Sequence, residues 1–293
     1  MASSPERGTG LVMIELNFET PPSLGLHRAI WGVRKRMQDG ATIPEMSATL
    51  KPQSVDDPKQ YNALCGFLTG SHLPTTLPHA MAMPLHMAIL THPKMPVPAL
   101  GLVHVRNQII QHSAIPADAQ LSISCRCQGH RVVRSGAEID LHTTVTVAGK
   151  CHWEEITTLL SRTVKGDGST GVNEPDELRR PDRSITWRVP KDQGRKYARV
   201  SGDFNPIHLY PLTARAFGFS RPIVHGMWTL ARALAELDPD PGKPMRLDVE
   251  FRRPLMLPAT VLFSSTVRPG GTQPFQVRSQ SGKLHLFGQL QPQ

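Results

Sequence analysis

The feature of this sequence that most limits its fold is an internal duplication. Three short segments of the first half recur in the same order in the second half: YNALCGF at 61–67 with YARVSGD at 197–203, MPLHM at 83–87 with PIVHGM at 222–227, and VHVR at 103–106 with VEFR at 249–252. Matches that keep their order and have similar spacings are typical of a repeated structural unit. We therefore predict two units of similar fold within the 293 residues.

The stretch between the two copies has the composition of a linker. It reads DGSTGVNEPDELRRPD, which is rich in Gly, Pro and charge and has no apolar periodicity. We predict four parts: an N-terminal extension at 1–54 that folds onto the body, a first unit at 55–165, a linker at 166–182 and a second unit at 183–293. The extension contains a short apolar run, GLVMIELNF, and a basic stretch, RAIWGVRKRM, that is compatible with a short helix.

Each half is predicted to contain one helix followed by antiparallel strands. In the second half, GMWTLARALAEL spaces Met227, Leu230 and Leu234 as on one face of a helix. Four segments with β character, separated by Pro and Gly, follow it: RLDVEFRRP, ATVLFSSTV, PFQVRSQS and KLHLFGQLQ. The corresponding segments of the first half are GLVHVRNQII, QLSISCRCQG, AEIDLHTTVTV and HWEEITTLLSRT. This pattern predicts an α+β fold.

The segment that corresponds to this helix in the first half is rich in proline. Pro74, Pro78 and Pro84 fall within it, and a proline inside a helix removes a hydrogen bond and clashes with the preceding turn. We therefore expect a shortened or distorted helix, with room beside the sheet. The longest stretch without Asp, Glu, Lys or Arg, 60–93, contains these prolines and four histidines. We predict buried or groove-lining chain there, and no membrane span.

Composition and charge narrow the choice of partners. A hydrophobic content of 39% suffices for a core, and no pattern of a signal or transit peptide opens the sequence, so a cytoplasmic location is the expectation. The net charge of +9 favours nucleic acid, an anionic membrane surface, a phosphate-bearing small molecule or an acidic carrier protein. Because the arginines are scattered, without a basic block or interleaved aromatic residues, we expect no nucleic-acid partner.

Residues that commonly bind metals do not form a recognisable site in this sequence. The four cysteines have no metal-ligand spacing and are predicted to be reduced thiols: Cys65, Cys125, Cys127 and Cys151. Cys125 and Cys127 are expected to share one face of a strand. Four histidines recur every six or seven residues, without neighbouring carboxylates: His72, His79, His86 and His92. Prolines interrupt this series, so we predict no metal site.

The segment SGDFNPIHLY at 201–210 carries the strongest signal for chemistry. Asn205 followed by Pro206 is typical of a helix start, with an N-cap residue and a proline at the first helical position. Asp203 and His208 lie on either side of this rigid turn, so both side chains can converge on one small volume. A carboxylate and an imidazole that share one water can remove and return a proton, which is worth roughly 100- to 10,000-fold in rate. A helix start without chemistry is the simpler alternative.

A second segment, RPIVHGMWTL, places His225 and Gly226 at the start of the long helix. The first N–H groups of a helix have no internal acceptor and lie at the positive end of its dipole. The Gly226 N–H can therefore donate to a carbonyl oxygen that gains charge, an interaction worth about 3 kcal/mol in a transition state. His225 is expected to support the site by packing, with substrate binding as the alternative. The first copy has Phe67 in place of Asp203, so chemistry is predicted only in the second.

The segments YARVSGDFNPIHLY and AFGFSRPIVHGM resemble the hydratase motif of the MaoC-like, R-specific enoyl-CoA hydratases and 3-hydroxyacyl-thioester dehydratases. The resemblance is strong over 197–235 and loose over the strands that follow. The segments LPHAMAMPLHMAIL and LGLVHVRNQI look like the degenerate repeat of two-domain members. The resemblance implies a double hot-dog fold, in which each half is a curled antiparallel sheet wrapped round a central helix. It also implies that Asp203 and His208 are the catalytic pair, that Asn205 orients them, and that Gly226 is the oxyanion donor.

The implied reaction is the hydration of a trans-2-enoyl thioester, or the dehydration of a 3-hydroxyacyl thioester in reverse. The R stereochemistry follows from the resemblance alone. No metal or redox cofactor is expected, because the thioester itself makes C3 electrophilic.

Coenzyme A or an acyl carrier protein would carry the substrate, and Arg221, Arg252 and Arg253 are candidate contacts for either. Met81, Met83 and Met87 suit a pliable wall for an acyl chain or ordinary core packing.

Two other functions fit the same residues. A thioesterase would direct the water against the thioester carbonyl instead of C3, and a non-catalytic module would bind acyl thioesters or a carrier protein without turnover. Nucleic-acid binding is suggested by the charge alone and is the weakest alternative. Two units in one chain can pair with each other, so the sequence is compatible with a monomer or a homodimer.

Overall fold

The computed structural model describes residues 13–25, 28–29, 32–37, 41–55, 58–164, 178 and 181–293. Most of the predicted linker at 166–182 lies outside the described residues. Of the basic stretch in the predicted extension, Gly32–Arg34 form one turn of 3₁₀ helix. No helix of the described residues has the length and apolarity needed to span a membrane.

The described part of the first half contains seven strands and two α-helices. In chain order they are β1 Ile14–Phe18, β2 Met46–Ser54, α1 Lys59–Cys65, α2 Leu77–Leu90, β3 Val103–Gln111, β4 Gln120–Cys127, β5 Arg131–Val133, β6 Gly136–Val147 and β7 Lys150–Ser161. Strand β4 alternates buried and exposed side chains, as expected for a strand with one face on a core. Cys125 and Cys127 both lie on its buried face, as predicted.

The second half contains five strands and three α-helices. They are β8 Arg183–Val189, α3 Gln193–Ser201, α4 Pro211–Ala216, α5 Gly226–Leu237, β9 Met245–Phe251, β10 Ala259–Ser265, β11 Gln273–Ser279 and β12 Leu284–Pro292. Short 3₁₀ turns at Pro206–His208 and Pro269–Gly271 complete it. The predicted α+β class is confirmed, and α5 covers the helix predicted from the apolar periodicity.

The described strands form one large mixed sheet. Its order is β1-β2-β4-β6-β7-β3-β9-β12-β11-β10-β8, with β5 added on β6. Strands β1 and β2 are parallel, and the other neighbours are antiparallel. If β1 and β5 are set aside, each half has five strands. Read from the edge of the sheet toward its centre, they are β2, β4, β6, β7 and β3 in the first half and β8, β10, β11, β12 and β9 in the second. In both halves this is the first, third, fourth, fifth and second strand along the chain. The second strands, β3 and β9, pair at the centre of the sheet and join the two halves.

Four strands of this sheet were not predicted from the sequence: β1, β2, β5 and β8. Strand β2 lies within the segment predicted as an N-terminal extension, and it pairs with β4. Strand β8 pairs with β10 at the edge of the second half. When β1 is set aside, β2 and β8 occupy the outer positions of their halves. The hydrophobic alternation of β2 is obscured by Lys51 and Pro52, at a point where a bulge interrupts the pairing.

The duplicated segments correspond only in part. Helices α1 and α3 both end at a glycine with left-handed backbone, Gly66 and Gly202, which agrees with the first matched pair. The second matched pair is wrong, because His86 lies inside α2 whereas His225 precedes the first residue of α5. Residues 203–225, between α3 and α5, form a longer connection than the one between α1 and α2. A match of residues at equal distances from Gly66 and Gly202 therefore pairs positions that are not equivalent in α2 and α5.

The prediction of a shortened helix in the first half is also wrong. Helix α2 has 14 residues, against 12 for α5. Pro78 lies in its first turn, where an N–H would have no intrahelical acceptor, and only Pro84 is internal. Burial of large apolar side chains such as Leu85 and Ile89 contributes roughly 1.5 to 3 kcal/mol each. Together they offset the cost of one internal proline, about 3 kcal/mol.

Candidate active site

The residues of the SGDFNPIHLY segment lie in a connection that is fixed against α3. Helix α3 ends at Gly202, which has a φ of 73°. The Asn205 side-chain oxygen then accepts the Ile207 N–H at 3.4 Å and opens the 3₁₀ turn at Pro206–His208. The predicted Asn-Pro helix start is therefore present, but it begins a single 3₁₀ turn. A Cβ on Gly194 would lie 2.1 Å from the His208 carbonyl oxygen, so a glycine in α3 allows this close approach.

The Asp203 carboxylate lies between two histidines. Its Oδ1 accepts the Asn205 N–H at 3.1 Å. Its Oδ2 is 3.9 Å from His208 Nε2 and 3.6 Å from His225 Nε2. The side chain is 29% exposed, whereas those of His208 and His225 are 9% and 3% exposed. The carboxylate therefore faces open space on one side and the two imidazoles on the other.

The orientation of His208 follows from its backbone partner. His208 Nδ1 lies 2.8 Å from the Ile223 carbonyl oxygen, and because a carbonyl only accepts, Nδ1 carries the proton. Nε2 then presents a lone pair toward Asp203. Their separation of 3.9 Å is longer than a direct hydrogen bond, and it allows both groups to contact one water.

His225 supports this arrangement from behind. Its ring stacks on that of His208 with a centroid distance of 3.6 Å, and the Tyr197 ring lies against the His225 ring at a centroid distance of 4.9 Å. His225 Nε2 lies 2.9 Å from the backbone oxygen of Asp203, so it donates to the main chain of the residue whose carboxylate it faces. Its Nδ1 is buried without a hydrogen-bond partner in the described residues.

The ionisation of the three groups follows from burial and from one another. Burial alone would raise the pKa of Asp203, but His225, His208 and the Asn205 N–H together hold this pKa below its usual value. Burial lowers the pKa of His208, an effect that Asp203 and the Ile223 carbonyl only partly oppose. Burial and His208 lower the pKa of His225 to about 3. At neutral pH the site therefore consists of a carboxylate and two neutral imidazoles.

Gly226 is the first residue of α5 and lies beside this group. Its N–H belongs to the first turn, where no intrahelical acceptor is available. A Cβ on Gly226 would come within 2.9 Å of the Phe251 ring. The glycine therefore lets the ring approach the backbone and leaves the helix N-terminus open toward the cavity.

Residues of both halves line one cavity of about 230 Å³. The second half contributes Asp203, Asn205, His208, His225 and Gly226, and also Arg252 and Arg253. The first half contributes Met83 and Met87 of the predicted methionine wall, but Met81 is not a lining residue. Arg221 is exposed and does not line the cavity either. The structure thus brings together the candidate site residues at one cavity, with the exception of Arg221 and Met81.

The sequence analysis did not identify several polar residues that line this cavity: His79, His86, His104 and Tyr197. The regular spacing of the histidines in the uncharged segment was the available signal. It was considered only for metal binding, whereas His79 and His86 are both buried in α2 and both line the cavity.

Two groups of described residues have the donor atoms for a metal ion. Ligand atoms of Asp203, His208 and His225 lie within 4.8 Å of one another, as do those of His112, Cys151 and Glu154. In the first group the His225 Nε2–H already donates to the Asp203 backbone, so a metal would have to displace that bond. The expectation of a metal-free site stays a prediction.

Replacement of Gly226 by alanine tests the proximity of the helix N-terminus to the ring. We expect Gly226→Ala to push the Phe251 ring or the helix start by several tenths of an ångström, because the added Cβ would lie 2.9 Å from the ring. Removal of one well-placed oxyanion donor lowers kcat by about 100- to 1,000-fold, and we expect a loss in that range from its displacement. Steady-state kinetics of the activity proposed below measure it. Gly70→Ala, at a glycine outside the cavity whose Cβ position has open space and whose φ is not positive, is the control for an alanine substitution.

A carboxylate and a neutral imidazole that can share one water, near a helix N-terminus, are groups that enzymes use for acid–base catalysis. The MaoC-like domain model matches residues 172–283. The chain is 31% identical over 223 residues to 3-hydroxyacyl-thioester dehydratase X of Mycobacterium tuberculosis, covering 74% of this chain and 79% of that protein. The chain therefore belongs to the MaoC-like dehydratase family, and it is a hydro-lyase.

Solved structures agree with this assignment. The crystal structure of the M. tuberculosis protein HtdX superposes with a TM-score of 0.71 at 30% identity, covering 84% of this chain and all (100%) of that one. A MaoC-like dehydratase from Phytophthora capsici superposes with a TM-score of 0.67 at 18% identity, over 89% of this chain and 97% of that one, which shows the fold alone. The fold is accordingly hot-dog-like.

Proposed function

We propose that this protein catalyses the reversible hydration of trans-2-enoyl thioesters, which in reverse is the dehydration of (3R)-hydroxyacyl thioesters. The observation that carries the proposal is the placement of Asp203 Oδ2 and His208 Nε2, 3.9 Å apart, on the wall of a cavity that Gly226 also lines. The name of the M. tuberculosis relative supports the substrate class, and the R configuration rests on the family resemblance.

In this mechanism the thioester carbonyl accepts the Gly226 N–H, and Asp203 and His208 hold one water over C3. The water oxygen forms a bond to C3, its proton passes to the pair, and a proton from the pair is delivered to C2. The two groups act as one coupled acid–base unit. Asn205 is a positioning residue, because its N–H fixes the Asp203 carboxylate and its side chain opens the turn that carries His208.

We propose further that the fold is a double hot-dog with one degenerate copy. Residues 183–293 would form the catalytic unit and 55–165 the degenerate unit, with the linker at 166–182 and the extension at 1–54. The identical strand order of the two halves supports this division. Strand β2 takes the same outer position as β8, so the extension would contribute the first strand of the degenerate unit.

The substrate would enter as a thioester of coenzyme A or of an acyl carrier protein, and no other cofactor takes part in the proposed steps. Arg252 and Arg253, at the cavity, are better placed than the exposed Arg221 to contact the phosphates of either carrier. Because β3 and β9 join both halves within one chain, a second copy is not needed to complete the cavity.

A mass-spectrometric assay tests the proposed function directly. The protein is incubated with trans-2-enoyl-CoAs of increasing chain length, and the products are analysed as intact thioesters. Hydration adds one water and keeps the thioester, whereas a thioesterase releases free coenzyme A and a fatty acid. A binding module would leave every substrate unchanged. Either of the last two results would contradict the proposal.

The dependence of activity on pH should follow His208. Its pKa is lowered from the usual value, about 6.5, so Nε2 is unprotonated throughout the neutral range. We expect kcat/KM for hydration to be level in neutral solution and to fall in acidic solution, with a midpoint below the usual pKa of histidine, as His208 and then Asp203 gain protons. A loss of activity that begins above pH 7 would contradict the neutral imidazole. Circular dichroism at each pH separates inactivation from unfolding.

A further inference from the structure

A second buried polar cluster lies in the first half of the chain, outside the proposed machinery. The Glu155 side chain on β7 is 0% exposed. It accepts His79 Nδ1–H at 2.8 Å and 2.9 Å and the Asn107 Nδ2–H at 2.6 Å. These partners outweigh burial and lower the pKa of Glu155 to about 2. Although burial alone would lower the pKa of His79, Glu155 raises it. The two residues therefore form a buried ion pair.

This ion pair leaves one strong donor unused. Protonated His79 carries two N–H groups, and Glu155 accepts the one on Nδ1. Within the part of the chain that the structure describes, no acceptor lies within hydrogen-bond distance of Nε2. His79 lines the same cavity as Asp203, and each of the two groups affects the pKa of the other. An ion pair that only joined α2 to β7 would not need a second N–H group on a residue that lines the cavity.

The position of His79 relative to the proposed reaction site follows from a row of rings. Phe251 lies against Gly226, where a Cβ would come within 2.9 Å of it. The Phe251 ring contacts His104 at a centroid distance of 4.7 Å. His104 stacks in turn on His79 at 5.7 Å with an interplanar angle of 17°. His79 is therefore two rings beyond the residue that contacts the helix N-terminus, and it lines the same cavity.

The groups that surround His79 are apolar or uncharged. Met83 and Met87 lie on the same helix as His79 and line the cavity. The rings of His86 and His104 contact that of His79. Burial lowers the pKa of His86 to about 4 and that of His104 to about 3, so both rings are neutral. Glu155 balances the charge of His79, so the pair has no net charge to attract an anion, whereas a neutral oxygen atom could accept the His79 Nε2–H.

We propose that His79 is a specificity-determining residue whose Nε2–H binds a neutral oxygen substituent, a hydroxyl or keto group, on the acyl chain beyond the reacting carbons. The assignment of the cavity to an acyl chain rests on the proposed function. The site would then prefer acyl thioesters that carry such an oxygen over saturated chains of equal length. A buried charged donor is stabilised by a hydrogen bond to an acceptor, and it is destabilised when an alkyl chain covers it without offering one. This difference in free energy is the source of the preference.

Binding of unreactive ligands tests this subsite separately from turnover. Isothermal titration calorimetry compares octanoyl-CoA with a series of monohydroxyoctanoyl-CoAs that carry the hydroxyl at C5, C6, C7 or C8. None of these is a substrate for hydration or dehydration at C2 and C3. A hydrogen bond to a charged group is worth about tenfold or more in affinity, so we expect at least one isomer to bind about tenfold more tightly than octanoyl-CoA. Equal binding of all five ligands would overturn the subsite and leave the proposed function intact. An absence of binding of all five ligands would also overturn the subsite, whereas the proposed function fails only if no enoyl thioester is hydrated.

The double variant His79→Leu/Glu155→Gln tests the assignment to His79. Removal of both charges avoids an unpaired buried carboxylate, and the glutamine keeps an oxygen for Asn107. We expect the affinity ratio between the preferred isomer and octanoyl-CoA to fall to about one, whereas Met81→Leu, on α2 but not in the cavity, keeps it. If the double variant does not fold, ¹⁵N resonances of the His79 ring in the native protein serve instead. They should shift with the preferred isomer and not with octanoyl-CoA. A retained preference, or identical shifts with both ligands, would overturn the proposal.

Discussion

Asp203→Asn is expected to reduce kcat for enoyl-CoA hydration by at least about 1,000-fold, while the protein remains folded. An amide has nearly the shape of the carboxylate and can still accept the Asn205 N–H, but it cannot take a proton from water. The Asp203 carboxylate is the one anion that both His208 and His225 face, at 3.9 Å and 3.6 Å. No other described carboxylate lines the cavity, so no nearby group can substitute for it.

Single-turnover kinetics and thermal unfolding of the Asp203→Asn variant measure the two parts of this prediction. Asp192→Asn is the matched control, because Asp192 precedes the same helix, α3, and pairs with Lys196 outside the cavity. We expect the control to keep its activity. An Asp203→Asn variant with activity close to that of the native protein would rule out the acid–base role.

His208→Ala should produce the second large loss, again about 1,000-fold in kcat. The substitution removes the Nε2 lone pair that faces Asp203, and it leaves the Ile223 carbonyl without its donor. Because the two groups act on one water, their effects should not add. We expect the double variant Asp203→Asn/His208→Ala to be about as active as either single variant, as found where residues act as one unit.

Two further measurements complete the test of His208. His112→Ala, at an exposed histidine paired with Glu154, controls for the loss of an imidazole elsewhere and should leave hydration unchanged. A strictly multiplicative loss in the double variant would show that Asp203 and His208 act independently. That result would contradict a shared water.

The predictability of the fold differed between its elements for physical reasons. Helix α5 was predicted with its observed bounds because its apolar spacing and the glycine at its start are local signals. Helix α2 was predicted to be shortened because the cost of its prolines was counted without the burial that tertiary packing provides. The helix packs against β2 and β4, and the burial of residues such as Leu85 offsets the internal proline. Strand β2 was missed because a strand that includes Lys51 and Pro52 is specified by its pairing with β4 and hardly by its own pattern.

The candidate site divides in the same way. Its central residues could be found because they lie close together in the chain: a stiff Asn-Pro turn sets Asp203 and His208 near one another, and a glycine opens a helix. By contrast, the Ile223 carbonyl that orients His208 and the histidine that supports Asp203 come from a different segment of the chain. Sequence spacing gives no measure of such contacts.

The sequence by itself indicated the candidate acid–base pair of this protein, because a pair across a rigid turn depends on residues within one short segment. It also determined the family and most of the strands, whose signals are local or repeated. Only the tertiary structure decided what encloses that pair. The cavity takes one wall from each half, and the ion pair of His79 with Glu155 joins residues 76 positions apart. Burial and charge depend on neighbours in space, so the protonation states of these groups, and the oxygen preference inferred from them, could be derived only once the two halves were seen packed together.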